Sequence, residues 1–497
     1  MSSPSAPFPR WRLFLTVWLV YTLFATTNVV RELYLAIALG GSGTVRVDPY
    51  LGLHGDLFEI PGRGSYINSN PGASMVGAIP YALVVRPVIA LATRLKPEIA
   101  RPKPPAAYDD PRPNRTRFMN AARARGLDIV LGLAALGTAA TVMAPLGAMA
   151  AVLVALFLRA RLNDDRQALW LALIFAFATP TWFRAAFLNQ NAIVAHLVLV
   201  AWILKLGLTP RAPGAAPPSS NPVVIGLLMG FAMVVDYSAI PFVLVFGLWI
   251  LADAWRRGGP MIALREGAIY CGGVIATVSL LFVYQWTAFG HPVWPAQRYM
   301  PPTVYSVRGW FGFTAPTREL LWGNLFDLRY GLFIFSPLLL AAFAAPFVRT
   351  RSRVWSPSSG ELAWIACAFA GLLVFSSANQ FANLQWNTGV RYMVPLVPLL
   401  FLAAVPGLAA LPRAVRWALV GVSALITTAV SMYREDVPTS LRLVAEDGPT
   451  LPVLVVLEKM ASGYEFGLPP GAFWIVAAVL ALVLILIWRP YLRQAAR

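Results

Sequence analysis

The chain has 497 residues, of which 58% are hydrophobic and only 12% charged, and it carries a formal charge of +18. An average soluble domain is nearer half apolar and a quarter charged, so a water-soluble enzyme is excluded, and the positive charge needs no nucleic acid to explain it. The two cysteines, Cys271 and Cys367, both fall in apolar stretches, so no disulfide framework is expected.

Apolar runs of membrane-spanning length recur from Leu13 to Trp488 and predict an all-α, polytopic integral membrane protein forming one domain, 1–497. The first run, LFLTVWLVYTLFATTNVV, follows Arg10 and Arg12 and lacks a clear small-residue cleavage site, so it reads as a retained helix. Lys and Arg stay on the cytoplasmic side of an inner membrane. The short basic turns at Arg159/Arg161, Lys205/Arg211, Arg256/Arg257, Arg349/Arg351/Arg353, Arg413/Arg416 and Arg489/Arg493 therefore set the register of crossings. Between consecutive turns the chain has room to cross twice. The expectation is about twelve helices at 13–31, 128–158, 167–186, 190–207, 222–235, 239–255, 264–286, 330–348, 361–377, 392–411, 415–432 and 472–488. Both termini are then cytoplasmic.

Four longer segments face the periplasm: 32–127, 287–329, 378–391 and 433–471. The first is the largest and contains an apolar stretch, 73–93, broken by Pro80 and Pro87 and read as an interfacial helix. Residues 94–125 follow with nine Lys/Arg and three acids. This basic stretch strains the positive-inside rule; placing it inside instead would invert every later turn. Outside, it would attract anionic lipid headgroups or form a solvated Pro-rich loop.

No Walker loop, G-x-G-x-x-G, G-x-S-x-G or Cys/His metal spacing occurs. The chemistry must therefore be sought in the outer segments. At mid-membrane a charged side chain costs about 2.5–3.5 kcal/mol on insertion scales, whereas at the outer surface it is cheap. Moving a sugar from a lipid phosphate to a hydroxyl needs a carboxylate to take the proton and cations opposite the departing phosphate. The outer carboxylates are Glu32, Asp48, Asp56 and Glu59; the cations include Arg46, Arg63, Arg298, Arg329 and Arg391. The densest cluster is VDPYLGLHGD, with Asp48, His54 and Asp56, although Asp48-Pro49 and Gly55-Asp56 are also ordinary turn formers. Two further segments, LFDLRYGLFIFSP with Arg329 and NLQWNTGVRYMVPLVP with Trp386, Asn387 and Arg391, enter helices at the surface. Arg, Trp and Tyr there also serve as interfacial anchors.

In order, these elements are a helix, an outer loop with early acids, SYINSNPGAS, L-R-x-G-L-F-x-x-S-P and W-x-x-G-x-R-Y-x-x-P-x-x-P. They resemble the family-39-like, C-type (GT-C) membrane glycosyltransferases of bacteria, whose relatives include protein O-mannosyltransferases and the aminoarabinose transferase acting on lipid A. The resemblance implies a GT-C-like fold and an inverting transferase. It would use a polyprenyl-phosphate-linked sugar at the periplasmic face, with a cell-envelope glycan, lipid or protein as acceptor. Membrane lipids are its surroundings and nucleic acid is no partner. In those relatives an Asp-Glu pair follows the first helix. Here that place reads ATTNVVREL, with Asn28 near the first acid and Arg31 and Glu32 after it. Either the base has moved to Asp48 or Asp56, or the activity is lost or changed. SYINSNPGAS resembles a Lys-bearing Y-x-x-x-x-P-G element of the family, with Asn70 read in place of the Lys, which makes Tyr66 and Asn70 candidate substrate contacts.

The expected catalytic residues are Asp48 first, Asp56 second, and Glu32; His54, Arg63, Tyr66, Asn70, Arg298, Arg329, Trp386 and Arg391 are the expected substrate contacts. Some relatives use a divalent metal, for which Asp48 and Asp56 could be ligands; with no metal spacing here, no cofactor is expected. Asn189, Asn191 and His196 read as interhelical hydrogen bonders or groove residues, and Asp236-Tyr237 equally as site or structure. His291 reads as structural, and Trp286, Trp294, Trp310 and Trp322 as an interface belt in which one aromatic could stack on a sugar. A flippase of lipid-linked intermediates and a non-catalytic assembly partner are the alternatives, and a phosphoethanolamine or acyl transferase is a lesser one.

Overall fold

The computed structural model describes residues 8–110, 112–208, 221–348, 355–387 and 389–495. The basic turns at Arg211 and at 349–353 lie outside the described residues. The protein is predominantly helical, with one two-stranded hairpin. Among the described residues, six helices are long and apolar enough to cross a membrane: Gly72–Leu95, Asp128–Leu162, Tyr237–Phe289, Ser359–Ala378, Arg413–Tyr433 and Ala472–Arg493. Three more apolar helices are shorter, Gln190–Leu206, Pro222–Val235 and Val394–Ala410. Large apolar side chains such as Leu244, Leu248, Ile275, Val283, Val479 and Leu482 point outward. That arrangement is costly in water and expected where lipid is the solvent.

The longest helix is two. Gly258 and Gly259 leave helical geometry, with Gly259 at φ 77°, and Pro260 opens the second arm. A left-handed residue is cheap only for glycine, and proline fits a first helical turn, so the sequence Gly-Gly-Pro dictates the break expected between 239–255 and 264–286. The second arm packs tightly on Pro222–Val235: a Cβ on Gly226 would fall 2.3 Å from the Tyr270 carbonyl oxygen. Close backbone approach through small residues is the usual way helices associate without water to expel.

Three expected helices differ. The first runs Arg10–Leu23, not 13–31. The chain leaves it at Phe24, crosses 25–30 without helical bonds, and starts a buried helix at Arg31–Ser42. The expected 167–186 ends at Phe177, before Thr179-Pro180, and resumes only as Thr181–Arg184. The expected 330–348 is a short α-turn, Leu332–Phe335, followed by tighter 3-10 structure over Pro337–Ala344, with Pro337 removing a donor at the junction.

Helix ends sort into two groups. At one end Arg12 donates to the Ile487 carbonyl, Arg161 to those of Leu206 and Gly207, and Lys205 pairs with Asp253 at 2.6 Å. At the other, Asn70 donates to the Met233 carbonyl and Gln285 to Tyr237. At this second end the basic segment is strapped down. Arg125 donates to the carbonyls of Pro49 and Leu51, Arg112 pairs with Glu435 at 2.5 Å, and Lys103 lies 3.4 Å from Asp128. Asp110, whose side chain is 2% exposed, is surrounded by Arg112, Arg115 and Lys459.

Candidate functional site

The first loop is organised by the hairpin. Strands β1 (Leu57–Ile60) and β2 (Gly64–Ile67) pair antiparallel with Leu57 opposite Ile67. That register places the residue before β1, Asp56, beside the residue after β2, Asn68, and Asn68 N donates to the Asp56 carbonyl at 2.8 Å. Asp56 and the run Asn68-Ser69-Asn70 thus reach one place although eleven residues separate the first two.

That place is a cavity of about 430 Å³ at the second end of the bundle. Asp56, Arg31, Asn70 and Arg391 line one part of it, together with Gln190 and Asp236. Trp310, Phe311, Phe313 and Phe381 give it an aromatic side. Each comes from a different local device. Asn189 caps the helix Gln190–Leu206 by accepting from Ala192 N at 3.1 Å, which sets Gln190 at its first position. Asp236 ends Pro222–Val235 and accepts from Ser238 N at 2.8 Å, starting the next helix. Gln190 Nε2 donates to the other Asp236 oxygen. The aromatic turn is held by the Trp310–Phe313 and Phe313–Asn379 bridges, with Phe311 left-handed at φ 51°. A bulky residue in that region is unusual and costs about 1–3 kcal/mol, which surrounding contacts must supply.

Arg31 is the electrostatic centre. Its Nε lies 3.0 Å from Glu32 Oε1 and its Nη1 2.9 Å from Asp56 Oδ2. Burial opposes its charge, but Glu32 and Asp56 outweigh that and raise its pKa further, so it stays cationic. For Asp56, burial pushes the carboxyl up, while Arg31, His54 and Arg391 together pull it below the ordinary carboxylate value. His54 Nδ1 accepts from Asp56 N at 3.0 Å. Burial depresses His54 despite the nearby Asp56, so at neutral pH it is an uncharged acceptor. Arg391 has its backbone N donating to Gln385 Oε1 at 3.1 Å and its guanidinium 5.3 Å from the Tyr392 ring. Among the described residues no ion pair engages it. Behind the cavity, Arg184 and Arg434 lie over the Phe187 ring at 5.2 and 5.0 Å, and Arg434 donates to the Phe183 carbonyl.

The expected residues divide. Asp56, Asn70 and Arg391 come together at the cavity, and Glu32 and His54 back Asp56. Asp48 does not line it: its carboxylate accepts from Ser65 N at 2.6 Å and pairs with Arg46 at 2.8 Å, bracing the hairpin. Tyr66 is buried against Phe289, its hydroxyl donating to the Arg63 carbonyl. Arg63 packs on Gly290, Arg298 covers Trp294 at 4.1 Å, and Arg329 is held by Asp327 at 2.9 Å. The Trp386 side chain lies outside the described residues. Asn28 is exposed, and Asn191 and His196 are buried in the helical core. His291 accepts from Val293 N at 3.3 Å, and Trp286 and Trp322 are exposed.

The sequence does not single out Arg31, Asn68, Ser69 or Gln190 as site residues, yet all four line the cavity. Gln190 sits between Asn189 and Asn191 in FLNQNAIVAH, and the break at Thr179-Pro180 was the available sign that a polar helix start follows. Among the described residues no three His, Cys, Asp or Glu side chains gather as a metal set. No family model, curated protein or solved structure matches the chain.

Proposed function

We propose that the protein is a membrane glycosyltransferase of the C type that moves a sugar from a polyprenyl-phosphate donor to a hydroxyl acceptor. The observation that carries this reading is one cavity holding an ionised carboxylate, Asp56, beside two arginines, Arg31 and Arg391, at one end of an apolar bundle. Arg391, without a carboxylate partner among the described residues, binds the donor phosphate and neutralises the charge that grows on it as the glycosidic bond breaks. Asp56 accepts the proton of the attacking hydroxyl. Arg31 lowers its basicity but fixes its position and keeps it ionised, and Glu32 in turn holds Arg31. Asp48, the first expectation from sequence, becomes a brace of the hairpin in this reading.

In this reading the chain crosses the inner membrane about twelve times, Gly72–Leu95 lying at the outer interface rather than among the crossings, with both termini cytoplasmic and the cavity on the periplasmic side. The two groups of helix ends support this, because Arg12, Arg161, Lys205 and Arg257 all fall at the end opposite the cavity. The straps from Arg125 to the first loop and from Arg112 to Glu435 keep the basic segment on the cavity side. Below the cavity Leu199, Trp202, Phe242, Phe246 and Trp249 form an apolar layer, with Asn191 and His196 buried between it and the cavity, and that layer favours a transferase over a flippase.

The test is transfer in vitro from polyprenyl-phosphate sugars to a hydroxyl acceptor, comparing the wild type with Asp56→Asn and Asp48→Asn. Loss of about 100-fold or more in turnover is expected for Asp56→Asn alone. Wild-type turnover in Asp56→Asn would remove the assignment.

A further inference from the structure

The wall of the same cavity that carries polar side chains beside the arginines has a chemistry of its own. Asn68, Ser69, Gln190 and Ser238 line it and are 4%, 6%, 5% and 1% exposed. Asn68 Oδ1, Ser69 Oγ, Gln190 Oε1 and Ser238 Oγ are buried without a hydrogen-bond partner among the described residues. Each such group costs about 1–3 kcal/mol to leave unpaired, so four at one cavity wall call for a ligand.

The orientation of the amides is fixed by their neighbours. Gln190 Nε2 faces Asp236, and a carboxylate can only accept, so Oε1 must be the free end. Asn70 Nδ2 donates to the Met233 carbonyl at 2.8 Å, which leaves its oxygen as the free end in the same way. The wall therefore offers acceptors, with two hydroxyls that adapt to either role, and the Asp236 carboxylate lies among them. A phosphate, which also only accepts, is repelled from this wall and belongs at Arg31 and Arg391. The aromatic turn with Trp310 and Phe311 gives the cavity an apolar side, suited to the C–H surface of a ring whose edge carries donors.

We propose that Asn68, Ser69, Asn70, Gln190 and Asp236 form a sugar subsite that selects a headgroup rich in O–H or N–H donors, neutral or aminated, and rejects acidic sugars. The proposal rests on the donor being a lipid-phosphate sugar.

The experiment titrates the full-length protein in nanodiscs with decaprenyl phosphate alone and with its glucosyl, mannosyl, arabinosyl and glucuronosyl forms. At least one neutral headgroup is expected to bind tighter than bare decaprenyl phosphate, and the glucuronosyl form no tighter than the bare lipid. Asn68→Ala and Ser69→Ala should each cut the sugar's gain about 2- to 10-fold while bare-lipid affinity stays at the wild-type value. If either variant loses monodispersity, the other decides. No gain from any neutral sugar, a gain that survives a folded variant, or glucuronosyl binding equal to the best neutral form overturns the subsite. Binding of bare decaprenyl phosphate that is absent, or indifferent to Arg391→Ala, instead overturns the transferase reading.

Discussion

Arg31 joins Asp56 to Glu32, with its Nη1 2.9 Å from one carboxylate and its Nε 3.0 Å from the other. The Arg31 and Glu32 side chains are 13% and 7% exposed, so this pair is desolvated, whereas Asp56 at 36% still opens to the cavity. Removing the cation strands a buried carboxylate. Arg31→Ala should therefore lower stability by about 3–5 kcal/mol, read as the melting temperature of purified protein. Arg31→Met with Glu32→Gln should lose much less, because neither buried charge is then uncompensated. Equal losses in the single and double variants would show that packing, not charge, makes Arg31 matter.

The same network predicts how stability depends on pH. Burial holds His54 below its ordinary value, about 6.5, so the unfolded chain binds its proton first as pH falls. The stability of the neutral form is complete above about 6.5 and is lost as pH falls from there toward the folded value. Asp56, held below its usual range, acts lower: its contribution is present above the ordinary carboxylate pKa near 4 and is lost as pH falls through its folded value. His54→Gln should flatten the upper part of the pH–stability curve and leave the lower part. A slope just below about pH 6.5 that is unchanged in His54→Gln would assign that window to other groups.

Asp48 and Asp56 have different surroundings, and the proposed function gives chemistry to Asp56 alone. Asp48 accepts from Ser65 N and pairs with Arg46 at a half-exposed surface. Asp48→Asn should cost about 1 kcal/mol of stability and less than a few-fold in turnover at saturating substrate. A large loss of turnover in folded Asp48→Asn, with Asp56→Asn active, would restore the order expected from sequence.

Much of the architecture was legible because apolar runs and basic turns are local signals. The hairpin of helices split at Gly258-Gly259-Pro260 is written in three consecutive residues. The sequence reads the first helix too long because Val29-Val30 resume the apolar run after Thr26-Thr27-Asn28, with no Pro or Gly between to mark a break. Only packing reveals that Thr26 N instead donates to the Ala186 carbonyl at 2.9 Å. The site was legible in part for the same reason. HGD and SYINSNPG stand out as polar stretches, but their meeting depends on the β1–β2 register, and Asp48 and Asp56 look alike until it is known. Gln190 and Asp236 lie 46 residues apart and become partners only through helix packing.

The strap formed by 97–127 predicts the sidedness of the whole chain. Ala107 is exposed within it, and its carbonyl accepts from Ser462 in the helix Pro452–Tyr464 at 3.2 Å. In a background with Cys271 and Cys367 replaced, a cysteine at Ala107 should react with a membrane-impermeant thiol reagent in intact cells. One at Arg256, exposed at the opposite end, should react only after lysis. Asp110→Ala should then loosen the strap, because Arg112, Arg115 and Lys459 converge on that one buried carboxylate. Its pKa is pushed up by burial but held down more strongly by Arg112 and Lys459, so the charge persists at neutral pH. Faster proteolysis between residues 97 and 127, from outside only, is the expected result. Cleavage of inside-out vesicles but not of intact cells would place the basic segment in the cytoplasm and invert the proposed topology.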